Sequence, residues 1–457
     1  MDRPARTINL AALIDGKKLT PFNWVLMTLS WLITMFDGLD MMMVSFTAPY
    51  MRDELNLTTT QLGNVFSAGT AGMVVGGLAF TYIGDRVGRR PTIIVAGLSF
   101  GILTFLTGFA RSYELLLTLR FLDGLAIGGL LPLAWALNIE FVPKRVRATV
   151  IAFIMMGFSI GSAVAGPLTN WLAPIHGWEG VYFAGGGATI LCALAIAFWL
   201  PESPRFLINK DIKPELVVAT LKRYDPALDI QPGDRFILGD EAQSKANFRL
   251  SDLFLGRLRW ITPLVWLGYG ASALGIFFKA SWGPIVLEEM AVPRETAATV
   301  SSIGGLFGAI AGVAIMRLAE RYGLLVVALV PAILVPLAVL IGFDVFTGTP
   351  LFLPLIVVLA MLVGGGHAAI ISQLALYYPT AIRASAGGWA SAVGKVGGVI
   401  GPIIGAAVLS SGIPASRTYA VAAICPFILM LCVLWIYFLV ERPGRKAGAS
   451  AKVAVAH

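Results

Sequence analysis

The chain has little charge for its size. Only 13% of its 457 residues are Asp, Glu, Lys or Arg, whereas 57% are hydrophobic, and the mean hydropathy is +0.80. Soluble domains carry about 25% charged residues. The composition therefore excludes a soluble enzyme or binding module and predicts a polytopic membrane protein.

Cysteine is also scarce. The three cysteines lie in apolar runs without the spacing of metal ligands, which indicates inert packing residues: Cys192, Cys425 and Cys432. Glycine-rich stretches lie within apolar runs and carry no Walker lysine, so they do not resemble phosphate-binding loops. We therefore expect no enzyme, no ATP-driven pump, no metal and no cofactor. Residues 1–21 also lack the apolar core and cleavage site of a signal peptide.

Long apolar runs, by contrast, are abundant. Roughly 20 apolar residues can cross a bilayer, and the sequence contains twelve suitable runs: 22–50, 59–83, 91–110, 113–139, 148–173, 179–200, 260–287, 296–318, 323–343, 350–378, 385–411 and 416–440. They predict an all-α protein with twelve transmembrane helices in two six-helix bundles. The expected organisation is an N-terminal segment, a bundle, a linker, a second bundle and a tail: 1–21, 22–201, 202–259, 260–440 and 441–457.

The basic residues are distributed unevenly between the two sides of these runs. The net charge is +8, and 27 of the 34 Lys and Arg residues fall on the side that carries the termini. This asymmetry follows the positive-inside rule. It predicts cytoplasmic termini in a bacterial inner membrane, and it argues against nucleic acid as a partner.

The two halves of the chain repeat each other. Asp85-Arg86-Val87-Gly88 matches Glu320-Arg321-Tyr322-Gly323 at an offset of 235, and Gly166-Pro167 matches Gly401-Pro402 at the same offset. Repeated halves of this kind are typical of carriers with a binding site near the membrane midplane.

Two acidic residues in the first run break this symmetry. Asp37 and Asp40 lie three residues apart, on one face of the predicted helix. A charge at the bilayer centre costs at least about 2.5–3.5 kcal/mol. Such residues normally face water, take a partner or bind a proton, so the pair predicts the proton site of a carrier.

Other residues supply the remaining chemistry of an organic-acid carrier. A cation must offset the carboxylate of the cargo in a low-dielectric site, and aromatic side chains suit a ring. The candidate cations are Arg120, Lys279 and Lys395, and the candidate walls are Phe36, Phe278, Trp282 and Trp389.

Structural alternatives stay open for these candidates. Arg120 can form an ion pair with Asp123, Lys279 can snorkel to the membrane surface, and Lys395 can balance Asp37 or Asp40. The aromatic residues can be packing side chains. His367 is either a proton shuttle or a hydrogen-bonded interior histidine.

The loop after the second run carries a specific motif, Gly84-Asp85-Arg86-Val87-Gly88-Arg89-Arg90. It resembles the hallmark G-x-x-x-D-R-x-G-R-R of the major facilitator superfamily, with Thr81 in place of the first glycine. The loop is either a topology anchor or a latch between the halves. We expect Asp85 to cap a helix N-terminus and to pair with an arginine.

The resemblance narrows to the aromatic acid:proton symporter family. It rests on Asp37-Gly38-Leu39-Asp40, Ser281-Trp282-Gly283-Pro284 and the run from Tyr378 to Ala384. It implies that both aspartates are needed for uptake and that Arg120 is a buried helix residue. It implies that Glu140 and Arg383 match charged residues at the inner ends of two helices of the family. It also places Lys395 where the family usually has arginine. We expect Glu140 to pair with Arg147 or Arg383.

These patterns together predict a monomeric, proton-coupled importer of an aromatic carboxylic acid that works by alternating access, with protons as its coupling ion and lipid around it. One alternative is an importer of a non-aromatic acid, such as a dicarboxylate or a muconate-like acid. Another is a membrane chemosensor, which would bind the acid without moving it.

Overall fold

A computed structural model describes residues 6–210, 212, 214–231, 233–239 and 249–440. The predicted tail, 441–457, and parts of the predicted N-terminal segment and linker lie outside these residues. The described chain is mostly helical, which confirms the predicted fold class.

The helices follow the predicted apolar runs closely. Their bounds are α1 Leu10–Asp15, α2 Pro21–Leu55, α3 Thr59–Val87, α4 Arg89–Thr107, α5 Tyr113–Gly128, α6 Leu130–Phe141, α7 Arg147–Trp199, α8 Pro204–Asn209, α9 Pro214–Tyr224, α10 Leu258–Glu289, α11 Arg294–Tyr322, α12 Leu324–Gly342, α13 Phe352–Tyr377, α14 Thr380–Ser410, α15 Arg417–Ala422 and α16 Ile424–Val440. Two short strands complete the described chain, β1 Thr7–Asn9 and β2 Arg235–Ile237.

Eleven helical segments of the described chain are long and apolar enough to cross a membrane. One of them contains α7, which has 53 residues and joins two of the predicted runs. At 1.5 Å per residue α7 is roughly 80 Å long, far more than the roughly 30 Å of a hydrocarbon core. Gly177 breaks it with φ 70° and ψ 175°. The count of twelve spans stays a prediction. The 53 residues of α7 are enough for two membrane crossings.

The chain divides into two compact units. The first unit contains the chain up to Met41, then Ala71–Ser162, then the chain from Leu172 into the linker. The second unit contains Met42–Thr70, Ala163–Trp171 and the chain after the linker. The predicted division into two six-helix bundles stays a prediction.

Glycines allow α2 and α7 to approach closely in the first unit. A Cβ atom at Gly161 would collide with the carbonyl oxygen of Met35, and one at Gly38 would collide with that of Phe158. The spacing Gly157-x-x-x-Gly161 is therefore a helix-packing device, as small residues at this interval usually are. This packing fixes the backbone around Asp37 and Asp40.

The N-terminal segment packs on the linker within the first unit. Strand β1 pairs with β2 in parallel, and the Lys17 ammonium donates to the Asp225 carboxylate at 2.7 Å. That hydrogen bond lowers the pKa of Asp225. Helix α9 presents Asp225 directly after its last residue, Tyr224.

In the second unit, the C-terminal part of α2 packs against the C-terminal half of the chain. The Ser45 hydroxyl donates to the carbonyl of Ser281 at 2.9 Å, and the Ser67 hydroxyl donates to that of Val399 at 2.8 Å. We call the side where α2 ends, at Leu55, the distal side. These bonds connect α2 and α3 with α10 and α14 on that side.

Candidate functional site

The acidic pair lies in the interior of the first unit. The two guanidinium nitrogens of Arg120 donate to the two oxygens of Asp40 at 2.9 and 2.8 Å. Arg120 also donates to Asp123 at 2.9 Å, and the Thr104 hydroxyl donates to Asp123 at 3.2 Å. Arg120, Asp40 and Asp123 are 4%, 2% and 0% exposed. The predicted pair of Arg120 with Asp123 is confirmed, and Asp40 joins it.

Asp37 differs from Asp40 in its partners. It is 1% exposed, and neither of its carboxylate oxygens has a hydrogen-bond partner among the described residues. It lies three residues before Asp40 on α2, and Asp40 shares the guanidinium of Arg120 with Asp123. We call Asp37, Asp40, Arg120 and Asp123 the acidic cluster. A buried ionised carboxylate without a partner is costly, so the cluster is suited to take up a proton.

Three candidates on α10 lie together in the second unit. Phe278, Lys279 and Trp282 line one cavity, which lies among α10, α11, α12, α13, α15 and α16. The Trp282 indole is fully buried and donates to the carbonyl of Pro402 at 2.9 Å. Lys279 is half-buried and lines this cavity, and snorkelling to the membrane surface stays an alternative prediction.

His367 lies next to the same cavity. Its Nδ1 is 3.0 Å from the hydroxyl oxygen of Ser272, which lines the cavity, and its ring lies 5.3 Å from that of Tyr269. These contacts fit a hydrogen-bonded interior histidine, and they leave the proton-shuttle interpretation untested.

The remaining candidates lie away from the cavity. Trp389 stacks on Trp266 at 6.0 Å and is 42% exposed, while Phe36 packs against the apolar core of the first unit. Lys395 has no hydrogen bond or ion pair within the part of the chain that the structure describes. Asp40 pairs with Arg120, and the predicted bridge from Lys395 to Asp37 or Asp40 stays a prediction.

The loop motif Gly84–Arg90 folds around a residue that the sequence analysis did not single out, Glu202. Its carboxylate accepts from the backbone N–H groups of Arg89 at 2.9 Å and Arg90 at 3.2 Å, at the N-terminus of α4. Gly88 precedes them with φ 117°, a conformation that favours glycine. Asp85 is exposed and does not cap this helix, so that prediction is wrong. Glu202 lies 113 residues beyond Arg89, which local motif analysis cannot detect.

The partner of Glu140 also differs from the prediction. Glu140 forms an ion pair with Arg89 and accepts a hydrogen bond from the Ser203 hydroxyl. Arg147 and Arg383 donate instead to the carbonyls of Val142 at 3.4 Å and Tyr378 at 3.2 Å. The expected pairing of Glu140 is therefore wrong. Arg86 lies over the Tyr82 ring at 4.1 Å, and Gly84 packs against Leu133.

Replacement of Glu202 tests this arrangement. We expect Glu202→Ala to lower the stability of the protein by about 1 kcal/mol. Two backbone N–H groups of α4 lose their acceptor, and the positive end of the helix dipole loses a nearby negative charge. Asp85→Ala, at an exposed carboxylate of the same loop, is the matched control and should change stability by less than about 0.5 kcal/mol. Thermal unfolding in detergent measures both, and equal effects would refute the capping role of Glu202.

An ion-pair network on the distal side was missed by the sequence analysis. Arg294 pairs with Glu288 at 2.5 Å and with Asp53 at 3.0 Å, and Arg52 pairs with Glu289 at 3.3 Å. All five residues belong to the second unit. They connect the end of α2 to the end of α10 and the start of α11. One feature of the sequence could have indicated this network: acidic residues lie close to Arg52 and Arg294 at the ends of these helices. The sequence analysis counted the two arginines only to assign the sides of the membrane.

Loss of Arg294 is expected to open the distal contacts. Partly exposed ion pairs contribute about 0.2–1 kcal/mol each, and Arg294→Ala removes two of them. The population in which the distal contacts are broken should therefore rise roughly two- to thirtyfold. Thiol labelling of Ser45→Cys, a buried position on α2, in a background without native cysteines measures this. Arg111→Ala, which removes an ion pair with Glu179, is the control. Equal labelling rates in the two variants would contradict the role of Arg294 in keeping the distal contacts closed.

The described spans and the buried charges define an integral membrane protein. A family model of the Major Facilitator Superfamily matches residues 30–341 and 265–456. The chain therefore belongs to the Major Facilitator Superfamily, and the predicted membership is confirmed.

Relatives and solved structures agree with this membership. The chain is 30% identical to the gallate transporter of Pseudomonas putida over 92% of its own length and 93% of that protein. It is 29% identical to the 4-hydroxybenzoate transporter PcaK of Pseudomonas aeruginosa, over 89% and 90% of the two chains. The crystal structure of a bacterial homologue of the human lysosomal transporter Spinster has the same fold, with a TM-score of 0.69 and 17% identity over 93% and 97% of the chains.

Proposed function

We propose that the protein is a proton-coupled symporter that imports an aromatic carboxylic acid. The observation that carries the proton coupling is the acidic cluster, in which Asp37 is buried without a partner beside the pair of Asp40 and Arg120. The aromatic cargo is supported by relatives that carry gallate and 4-hydroxybenzoate and match about nine-tenths of the chain.

The acidic cluster suggests how coupling works. Arg120 donates to both Asp40 and Asp123, so Asp37 is the carboxyl group with no described partner. With every group ionised, the cluster has three negative charges and one positive charge, a net charge of −2, and a proton on Asp37 removes the negative charge that has no hydrogen-bond partner among the described residues. Conformations that bury the cluster are then favoured in the protonated form, because an unpaired buried charge is costly. Alternating access would thereby depend on protonation.

The same reasoning extends to the membrane location and the oligomeric state of the protein. The asymmetry of its basic residues supports an inner-membrane protein with cytoplasmic termini. We propose two six-helix bundles and a monomer as the working unit.

Transport in sealed proteoliposomes tests the proposal. An inward proton gradient should drive accumulation of labelled 4-hydroxybenzoate, and a protonophore should abolish it. Binding without accumulation would refute transport and favour a chemosensor. Stronger competition by muconate than by benzoate would replace the aromatic cargo with a non-aromatic acid.

A further inference from the structure

The cavity on α10 lies within the second unit and is partly open. It has a volume of about 70 Å³, whereas one water needs roughly 10–15 Å³ on the same measure. Its walls are formed largely by aromatic and aliphatic side chains, among them Phe278, Trp282, Leu334, Ile356 and Leu359. The space is large enough to hold an organic group and is mostly apolar.

Lys279 is the sole charged side chain among the described residues that line this cavity. None of those residues is acidic, and Lys279 makes no hydrogen bond or ion pair within the described ranges. An ammonium group without a counter-charge is costly in an apolar interior. An anion in the cavity would stabilise the charged lysine, and the described lining residues do not supply one.

Hydroxyl groups from other helices surround the same space. Ser301 on α11 and Thr418 and Tyr419 on α15 line the cavity. The Thr418 hydroxyl is buried and has no hydrogen-bond partner among the described residues. A buried hydroxyl usually has a partner, so this group is available to a ligand. The lining thus combines one cation, several hydroxyls and aromatic walls.

We propose that this cavity binds an organic monoanion, with its carboxylate on Lys279 and its apolar body between Phe278 and Trp282. A single cation compensates a single carboxylate, so a dianion would leave one charge uncompensated in the apolar interior. This selects monocarboxylates over dicarboxylates. Where the bound acid is also the cargo, the inference rests on the proposed function and narrows its substrate class.

Binding to the purified full-length protein tests this site without transport. Calorimetry with benzoate should give saturable binding, whereas neutral benzamide and dianionic phthalate should bind at least tenfold more weakly. Lys279→Met should weaken benzoate binding at least tenfold, and Lys222→Met, at an exposed lysine of α9, should leave it within twofold.

The melting temperature of Lys279→Met distinguishes a lysine that binds a ligand from a lysine that the fold needs. Lys279→Met removes an uncompensated charge, so its melting temperature without ligand should equal or exceed that of the wild type. A lysine needed for folding would give a clear decrease. Ala422→Leu fills the cavity without altering its charge and should also abolish benzoate binding. Unchanged affinity in either variant, or no binding of any carboxylate by the wild type, would overturn the site.

The outcomes for the site and for the function can be told apart. Accumulation of 4-hydroxybenzoate together with unchanged benzoate affinity in Lys279→Met would leave the transport function standing and remove this site. Conversely, the site would stand and the aromatic cargo would fall if cyclohexanecarboxylate bound in a Lys279-dependent way and no aromatic acid were accumulated.

Discussion

Asp37→Asn is expected to abolish uphill uptake, with accumulation at least tenfold below the wild type. Asparagine keeps the size of the side chain but cannot exchange a proton at neutral pH. The first unit should fold normally, because the Asp37 carboxylate has no hydrogen-bond partner to lose among the described residues. Accumulation of labelled 4-hydroxybenzoate in proteoliposomes under an inward proton gradient measures the effect.

The control for this prediction separates coupling from binding. Asp37→Asn should still exchange internal for external substrate when no gradient is applied, and its uptake should no longer depend on pH. Asp225→Asn, which removes a surface pair with Lys17, should retain normal accumulation. Gradient-driven accumulation in Asp37→Asn at the wild-type level would remove Asp37 from the coupling mechanism.

Arg120→Met is expected to cause the largest loss of stability, about 3–5 kcal/mol. The guanidinium is the described partner of both Asp40 and Asp123, and all three side chains are at most 4% exposed. Methionine fills similar space but leaves two carboxylates buried without a counter-charge. Thermal or denaturant unfolding of the detergent-solubilised protein measures the loss.

Matched variants test whether charge is the cause. Arg111→Met breaks the pair with Glu179, in which the arginine side chain is 62% exposed, and should cost at most about 1 kcal/mol. Adding Asp40→Asn and Asp123→Asn to Arg120→Met should recover part of the stability, because the two carboxylates that lost their counter-charge are then neutral. If the triple variant is less stable than Arg120→Met alone, packing rather than charge explains the effect.

The sequence predicted the helices more reliably than the partners of the charged residues. The apolar runs gave the spans because lipid imposes a minimum length on each of them. The pair of Arg120 and Asp123 was predictable since residues three apart share a helix face. By contrast, the bond from Asp40 to Arg120 joins positions 80 residues apart, and the Glu202 cap joins positions 113 apart. A local pattern does not encode such distances.

The residues of the candidate site could be predicted from the sequence, whereas their arrangement could not. The sequence marked Lys279, Phe278 and Trp282 individually because charged and aromatic residues stand out in apolar runs. It gave no means to decide that they face one interior cavity, or that Trp389 and Lys395 do not line it. Helix rotation and packing decide this, since a side chain on an apolar helix can face lipid, a neighbouring helix or a cavity.

The sequence by itself determined that this protein is a membrane transporter with buried acidic residues, because composition, run length and charge asymmetry are properties of the chain alone. Only the tertiary structure decided which charges are neutralised by protein and which are left for a proton or a ligand. That decision depends on contacts between distant segments: Arg120 reaches Asp40 and Asp123, whereas Asp37 and Lys279 reach no described counter-charge.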